Sequence, residues 1–235
     1  MNIEIEKEYL IQSYGRKRLR GLSRNQQEIL TNLYEKFGIH TYENENKEKC
    51  NLVDPLRFFD TKFDNVVVEI GFGMGEHMIQ NAKQNPNCGM IGCEPLENGV
   101  INVLLDINEK NIHNVRVYKH DARILLRTFN AESVSRFYVL FPDPWHKTRH
   151  HKRRLLSVDF MSLMKEKLRI GGDVVIATDC SEYIKEILEN ISKLDGVKVL
   201  DSSLARPELF IPTKYEKKAI EKGKQPFYIK FDKTS

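Results

Sequence analysis

The sequence lacks any long uncharged apolar run, and none approaches the roughly 18 residues that a membrane span needs. Its first residues, MNIEIEKEYLIQ, have neither a basic segment nor an apolar segment of the signal-peptide kind, so we expect no signal peptide. The four cysteines form no CxxC pair and no disulfide framework. These shortages predict a cytoplasmic protein with reduced thiols and no membrane association.

Charge is unevenly distributed along the chain. The 235 residues are 40% hydrophobic, which suffices for one domain with extensions, and the net charge is only +4. Basic residues nevertheless crowd three places, namely 16–24, 147–154 and 214–224. Each cluster alone is more typical of a solvated surface, but together they predict a polyanionic partner that binds one face.

The first 60 residues differ in pattern from the rest. Residues 1–24 form a polar, basic arm, and residues 24–38 have the spacing of an amphipathic helix that ends at Gly38. The polar stretch 40–51 is predicted to be a loop. We therefore divide the chain into an N-terminal arm and helix, 1–60, and a main domain, 61–235.

The main domain alternates between short β-branched runs and helical segments. Strands are predicted at 66–70, 89–94, 115–120, 135–141, 173–179, 197–201 and 226–232, and helices at 76–84, 96–110, 122–129, 155–168 and 181–193. This alternation predicts an α/β fold, a Rossmann-like, doubly wound and mostly parallel seven-stranded sheet with helices on both faces. Ligands of such sheets bind beyond the carboxyl ends of the strands.

A glycine turn follows the first of these strands, in the segment EIGFGMG at 69–75. Its spacing is GxGxG, whereas dinucleotide-binding dehydrogenases have GxGxxG. Glu69 directly before the turn would repel a pyrophosphate and suit an ammonium group. S-adenosylmethionine carries an ammonium group, so the turn favours a methyltransferase over a dehydrogenase.

Two further acids end strands. Glu94 lies 23 positions after Gly71, where a carboxylate accepts hydrogen bonds from ribose hydroxyls, although an exposed loop glutamate is the alternative. Asp121 ends the third strand, where it can accept from an adenine amine or cap the helix that follows, and the two roles are compatible.

The fourth strand runs into FPDPWHK at 141–147. Two prolines stiffen this loop, and Trp145 is the only tryptophan of the chain. A tryptophan is more often part of a core, but one beyond a strand end and beside His and Lys suits the holding of a nucleobase. The nearby histidines match no known metal-ligand spacing, so no metal is expected.

In combination these segments resemble the bacterial tRNA (guanine-N7-)-methyltransferases, a family of class I S-adenosylmethionine-dependent enzymes. The matching segments are SYGRKRLRGLS (13–23), EIGFGMG (69–75), Glu94, DA (121–122), FPDPWHKTRHHKRR (141–154), ATD (177–179) and RP…TKYE (206–216). The resemblance implies methyl transfer to N7 of a guanine in the variable loop of tRNA, position 46.

The same resemblance implies a role for each matched residue, with Asp143 as the catalytic aspartate. It implies that the cofactor site contains Glu69, Gly71, Gly73, Glu94, Asp121, Ala122 and Asp143. It implies that the substrate is bound by Lys147, Asp179, Thr213, Lys214, Tyr215 and Glu216. It implies RNA contacts from Arg149, His150, His151, Lys152, Arg153 and Arg154.

Two alternatives stay open at the level of sequence. One is a class I methyltransferase that acts on a small molecule or a protein, and the basic clusters and PDPWHK count against it. The other is an RNA-binding protein that keeps the fold without catalysis, against which stands the full set of strand-end acids. Nothing in the sequence indicates an obligate protein partner.

Overall fold

A computed structural model describes residues 2–6, 21–44, 52–207 and 210–235, with backbone alone at 2–6 and 41–44. Most of the predicted basic arm therefore lies outside the described residues. The strands are β1 (Asn2–Glu6), β2 (His40–Asn44), β3 (Asn65–Ile70), β4 (Cys88–Cys93), β5 (Val115–Tyr118), β6 (Val134–Leu140), β7 (Leu168–Thr178), β8 (Val197–Ser203) and β9 (Phe227–Lys233). The helices are α1 (Arg24–Phe37), α2 (Glu76–Gln84), α3 (Glu97–Glu109), α4 (Ala122–Arg127), α5 (Val158–Lys167), α6 (Ser181–Ile191) and α7 (Lys214–Glu221). In these ranges no helix is both long and apolar enough to cross a membrane.

The main sheet has seven strands in the order β5-β4-β3-β6-β7-β9-β8. The first five are parallel to one another, and β9 runs antiparallel to both β7 and β8. The predicted mostly parallel, Rossmann-like sheet is therefore confirmed. The chain order reverses between β3 and β6, and this switch point is where such folds form a ligand crevice at the carboxyl ends of the strands.

Helices cover both faces of the sheet because the strands bury side chains on both faces. In β3, Val66, Val68 and Ile70 join a core with α4, α5 and α6. Val67, which points to the opposite face, packs against the core that α1, α2 and α3 form. Continuous apolar strands of this kind are typical of a parallel sheet buried on both sides.

Part of the predicted N-terminal segment packs on the main sheet. The Tyr34 hydroxyl at the end of α1 donates to the carbonyl of Ile39 (2.8 Å), whose own N–H donates to the carbonyl of Val117 in β5 (2.8 Å). Val53 likewise donates to the carbonyl of Thr128 (2.7 Å) and belongs to the main core. The division of the chain at residue 60 stays a prediction.

Three local predictions were wrong. Residues 40–44 form β2 rather than a loop, because they pair with β1, a long-range contact that the local pattern does not contain. The helix predicted at 155–168 is shorter, and β7 begins at Leu168, since that residue pairs with Val134. Residues 214–221 form α7, where a loop was expected. The spacing T-x-x-E at 213–216 is a helix-start signal that predicts this helix.

Candidate active site

The acids that the sequence places at strand ends all lie at one edge of the sheet. Glu69 lies in β3, and Glu94, Asp121, Asp143 and Asp179 follow β4, β5, β6 and β7 in turn. These five strands are parallel and adjacent, so their carboxyl ends meet at this edge. The structure thus gathers the predicted acids around the switch point between β3 and β6.

The glycine turn between β3 and α2 depends on left-handed backbone. Gly71, Gly73 and Gly75 have φ values of +74°, +58° and +85°, a region that other residues enter only with strain. A Cβ atom added to Gly71 would meet nothing within 4 Å, so that side of the turn is open. A ligand can therefore approach the backbone of the turn closely.

Glu94 holds the glycine turn to the loop after β4. Its Oε2 accepts from the Gly73 N–H (2.9 Å) and its Oε1 accepts from the Leu96 N–H (2.9 Å). The pKa of Glu94 is raised overall. Burial has the largest effect and raises it, the two backbone N–H groups lower it, and the negative charge of Asp143 raises it. Each carboxylate oxygen keeps a further lone pair, so the predicted ribose contact is compatible with these bonds.

Glu69 forms a buried pair with a histidine that the sequence did not single out. His77 Nδ1 lies 2.6 Å from Glu69 Oε2, and the two side chains are each 3% exposed. The His77 ring packs edge-on against Tyr138 (4.7 Å between ring centroids) and at a tilt against Phe210 (5.4 Å). Glu69 is thus fixed directly beneath the glycine turn.

Asp121 caps α4, as one of its two sequence interpretations predicts. Its Oδ1 accepts from the Arg123 N–H (3.0 Å), and the Arg123 guanidinium binds both carboxylate oxygens, at 2.8 and 2.6 Å. Ala122, the first residue of the helix, is buried. An adenine contact by Asp121 stays a prediction, and it would have to share the carboxylate with Arg123.

The loop that carries Asp143 is held in a strained conformation. Phe141 and Trp145 on either side of Pro-Asp-Pro have φ values of +54° and +46°, which are uncommon for bulky residues. The Asp143 side chain is exposed, and its charge raises the pKa values of Glu94 and Tyr215, in each case after the larger effect of burial. The loop therefore presents a carboxylate beside the glycine turn.

The basic turn, residues 148–153, is built around Trp145. The Trp145 ring packs edge-on against His150 (5.8 Å between ring centroids), and the Arg153 guanidinium lies 5.0 Å from the ring. Partial desolvation, followed by the charges of four nearby cations, lowers the pKa of His150. Among the predicted RNA contacts, Arg149 and Lys152 are exposed.

The prediction that Arg154 contacts RNA conflicts with its position. Its side chain is 3% exposed, forms an ion pair with Glu186, and donates from Nε to the carbonyl of Pro144 (2.7 Å). The guanidinium also lies 4.9 Å from the centroid of the Tyr183 ring. While these contacts are kept, the guanidinium is not available to a phosphate, and it holds the PDPW loop through the Pro144 carbonyl.

The segment Thr213–Glu216 starts α7 and reaches the glycine turn. Thr213 caps the helix by accepting from the Glu216 N–H (3.0 Å). The Tyr215 ring lies against Gly73, where an added Cβ would stand 3.0 Å from Tyr215 Cε2. Lys214 next to it is exposed. Of the predicted substrate residues, Tyr215 is thus brought directly onto the predicted cofactor turn.

Glu216, one of the predicted substrate residues, is buried. It is 1% exposed, and its Oε1 accepts from Arg206 (2.6 Å) and from the Tyr228 hydroxyl (2.7 Å). Its Oε2 is buried with no hydrogen-bond partner. Arg206 is 44% exposed, so it is the member of this group that solvent reaches.

The remaining predicted substrate residues, Lys147 and Asp179, lie after β6 and β7. Asp179 binds Lys224 through Oδ2 (2.7 Å), and Lys147 is exposed. Sequence reasoning placed Lys224 in a basic cluster but missed its pairing with Asp179, and it missed His77 and Gly99. Gly99 must be a glycine, because an added Cβ would stand 1.9 Å from the carbonyl oxygen of Gly73.

In the described part of the chain, no group of three or more His, Cys, Asp or Glu side chains could hold a metal ion.

Sequence comparison with known proteins identifies a family of methyltransferases. Residues 64–229 match the family described as "Putative methyltransferase". The tRNA (guanine-N(7)-)-methyltransferase of Pseudoalteromonas atlantica is 35% identical over 96% of this chain and 92% of its own length. The enzyme of that name from a Ruegeria species is 38% identical over 72% of this chain and 68% of its own.

Solved structures are similar in fold. The 16S rRNA methyltransferase KamB superposes with a TM-score of 0.57 over 74% of this chain and 90% of its own, at 17% identity. That likeness supports the class I methyltransferase architecture seen in the seven-stranded sheet. The likeness shows the fold alone, and it is the sequence matches that show that this chain belongs to the tRNA (guanine-N(7)-)-methyltransferase family.

Proposed function

We propose that this chain transfers the methyl group of S-adenosylmethionine to N7 of guanine 46, in the variable loop of tRNA, in the cytoplasm. The observation that carries the proposal is the contact between Tyr215 and Gly73 beside Asp143. Through it, a residue predicted to bind substrate lies directly beside residues predicted to bind the cofactor.

The glycine turn fits S-adenosylmethionine. The open side of Gly71 is room that a side chain would fill, and the buried carboxylate of Glu69 suits the ligand's ammonium group. Glu94, fixed by two backbone N–H groups, faces the ribose in this arrangement. Asp121 and Ala122 lie at the end of β5, where the adenine belongs in this fold.

Methylation of guanine N7 requires little proton transfer by the protein. S-adenosylmethionine supplies an electrophilic methyl group, and N7 has a free lone pair and no proton, so no general base is required. Positive charge moves onto the purine during transfer, and Asp143 supplies a nearby negative charge that favours that state. The stiff PDPW loop and α7 would position the cofactor and the base for transfer.

We expect the guanine base to be recognised by Asp179 and the residues around it. Lys224 holds Oδ2 of Asp179, which leaves Oδ1 to accept from guanine N1–H and its amine. We expect the exposed residues Lys147, Lys214 and Tyr215 to line the approach, whereas Thr213 is buried and supports them as the cap of α7. Because N7 of a base in folded RNA is enclosed, we expect the guanine to be extruded before transfer.

The direct test uses tRNA that lacks the modification, incubated with radiolabelled cofactor and then digested to nucleosides. We expect label in 7-methylguanosine, and none when guanine 46 is replaced by adenine. Label in another nucleoside, or persistence of 7-methylguanosine after the replacement, would contradict the assignment. EDTA is expected to leave the rate unchanged.

Replacement of Glu94 by alanine tests the cofactor site. We expect the affinity for S-adenosylmethionine to fall at least about tenfold, because hydrogen bonds to a charged group contribute roughly 1.5–3 kcal/mol each. Calorimetry measures this, with Glu97→Ala as the control because that glutamate begins α3, three residues after Glu94. An unchanged dissociation constant for Glu94→Ala would remove Glu94 from the site.

The basic turn is proposed to bind phosphates of the tRNA. Joint replacement of the exposed Arg149 and Lys152 by glutamine should flatten the dependence of log K for tRNA on log salt by about 1.4–1.8, since each lost contact contributes about 0.7–0.9. Cofactor affinity should not change. The matched control replaces Lys62 and Lys198, two exposed lysines at the opposite edge of the sheet. Equal slopes for all three proteins would make the basic turn an ordinary solvated surface.

A further inference from the structure

His77 is a buried polar residue that the proposed reaction does not use. It is the second residue of α2, its side chain is 3% exposed, and its Nδ1 lies 2.6 Å from Glu69 Oε2. An ionised carboxylate can only accept, so we assign to His77 the tautomer that carries the proton on Nδ1. An interaction so deeply buried constrains the orientation of the Glu69 carboxylate.

The surroundings of His77 hold the ring itself in place. Tyr138 from β6 packs edge-on against it, and Phe210 packs at a tilt from the segment that leads to α7. Phe210 in turn packs on Tyr228 (5.3 Å between ring centroids), whose hydroxyl binds Glu216. His77 therefore connects the acid beneath the glycine turn with the segment that carries Tyr215.

We propose that His77 is a positioning residue for the cofactor: its Nδ1–H fixes Glu69 so that the carboxylate receives the ammonium group of S-adenosylmethionine. This rests on the proposed function, in which Glu69 is the acceptor of that group. One oxygen of Glu69 is occupied by His77, and the carboxylate uses its remaining acceptor capacity for the ligand. Without the donor, the buried carboxylate loses its orientation and part of its stabilisation as an anion.

The test compares two ligands that differ in the amino-acid part. S-adenosylhomocysteine carries the ammonium group, whereas 5′-methylthioadenosine has the same nucleoside without it. Calorimetry on the full chain should show that His77→Ala weakens S-adenosylhomocysteine about tenfold or more and leaves 5′-methylthioadenosine within about twofold. His77→Asn, whose amide can donate from the position of Nδ1, should restore most of the loss.

A purely structural role gives a different pattern. If His77→Ala weakens both ligands equally, or neither, the positioning role is overturned. The same conclusion follows if His77→Asn fails to restore the discrimination while its thermal unfolding matches the wild type. His40→Ala is the matched control, since His40, whose side chain is 27% exposed, also packs edge-on against a tyrosine, Tyr34, away from the turn. It should change neither dissociation constant.

Glu69→Gln separates this inference from the proposed function. We expect it to weaken S-adenosylhomocysteine selectively, and we expect His77→Ala to have little further effect in its background, because the two residues act as one unit. If Glu69→Gln binds S-adenosylhomocysteine like the wild type, the assignment of Glu69 fails and the proposal for His77 with it. If Glu69→Gln loses affinity but His77→Ala does not, only the proposal for His77 fails.

Discussion

Asp143→Asn is expected to lower kcat for tRNA methylation by about two to three orders of magnitude, the scale of one lost preorganised electrostatic contact. Asparagine keeps the size and hydrogen-bonding capacity of the side chain but removes the charge that favours the developing purinium. The Kd for tRNA should change by less than about threefold. Single-turnover methyl transfer, measured with saturating tRNA and cofactor, reports the chemical step directly.

The exposed position of Asp143 makes this a clean substitution. Because Asp143 is exposed, the unfolding temperature should match that of the wild type. Asp195→Asn, at an exposed position before β8 on the opposite edge of the sheet, is the matched control for loss of one negative charge. Near-normal single-turnover rates with collapsed binding of tRNA or cofactor would make Asp143 a binding residue, and Asp179 would be the next candidate for the catalytic role.

The architecture could be predicted because its signals are local. Val66–Ile70 and 173–179 are β-branched runs bounded by glycine, and their burial on both faces is what makes a parallel strand apolar throughout. β2 and the first residues of β7 escaped prediction because their sequences are polar or glycine-rich. Their conformation depends on pairing with β1 and with Val134, which are distant in sequence.

The candidate site likewise contains residues that could be predicted from the sequence and residues that could not. Glu69, Glu94 and Asp143 could be predicted because a parallel sheet brings successive strand ends to one edge. His77 and Gly99 could not, since their importance comes from one tertiary contact each, with Glu69 Oε2 and with the Gly73 carbonyl. Six consecutive residues from Arg149 onward look alike in sequence as an RNA-binding run, and only the fold separates exposed side chains from a buried one.

Arg154→Ala should destabilise the protein, in contrast to the exposed arginine five positions before it. The change removes a buried cation and leaves Glu186 and the Pro144 carbonyl without their partner. Broken buried ion pairs cost about 3–5 kcal/mol, and we expect about 2–4 kcal/mol here because Glu186 is 31% exposed and regains water. The unfolding temperature should fall by about 6–12 °C. The PDPW loop loses its anchor, so kcat should also fall.

Arg149→Ala is the matched control, an arginine of the same turn whose side chain is exposed. It should leave the unfolding temperature unchanged and weaken tRNA binding in a salt-dependent manner, the reverse of the effects of Arg154→Ala. The two substitutions therefore separate phosphate binding from support of the loop. If Arg154→Ala unfolds like the wild type and instead flattens the salt dependence of tRNA binding, Arg154 leaves its ion pair to bind RNA, and the original sequence prediction for it holds.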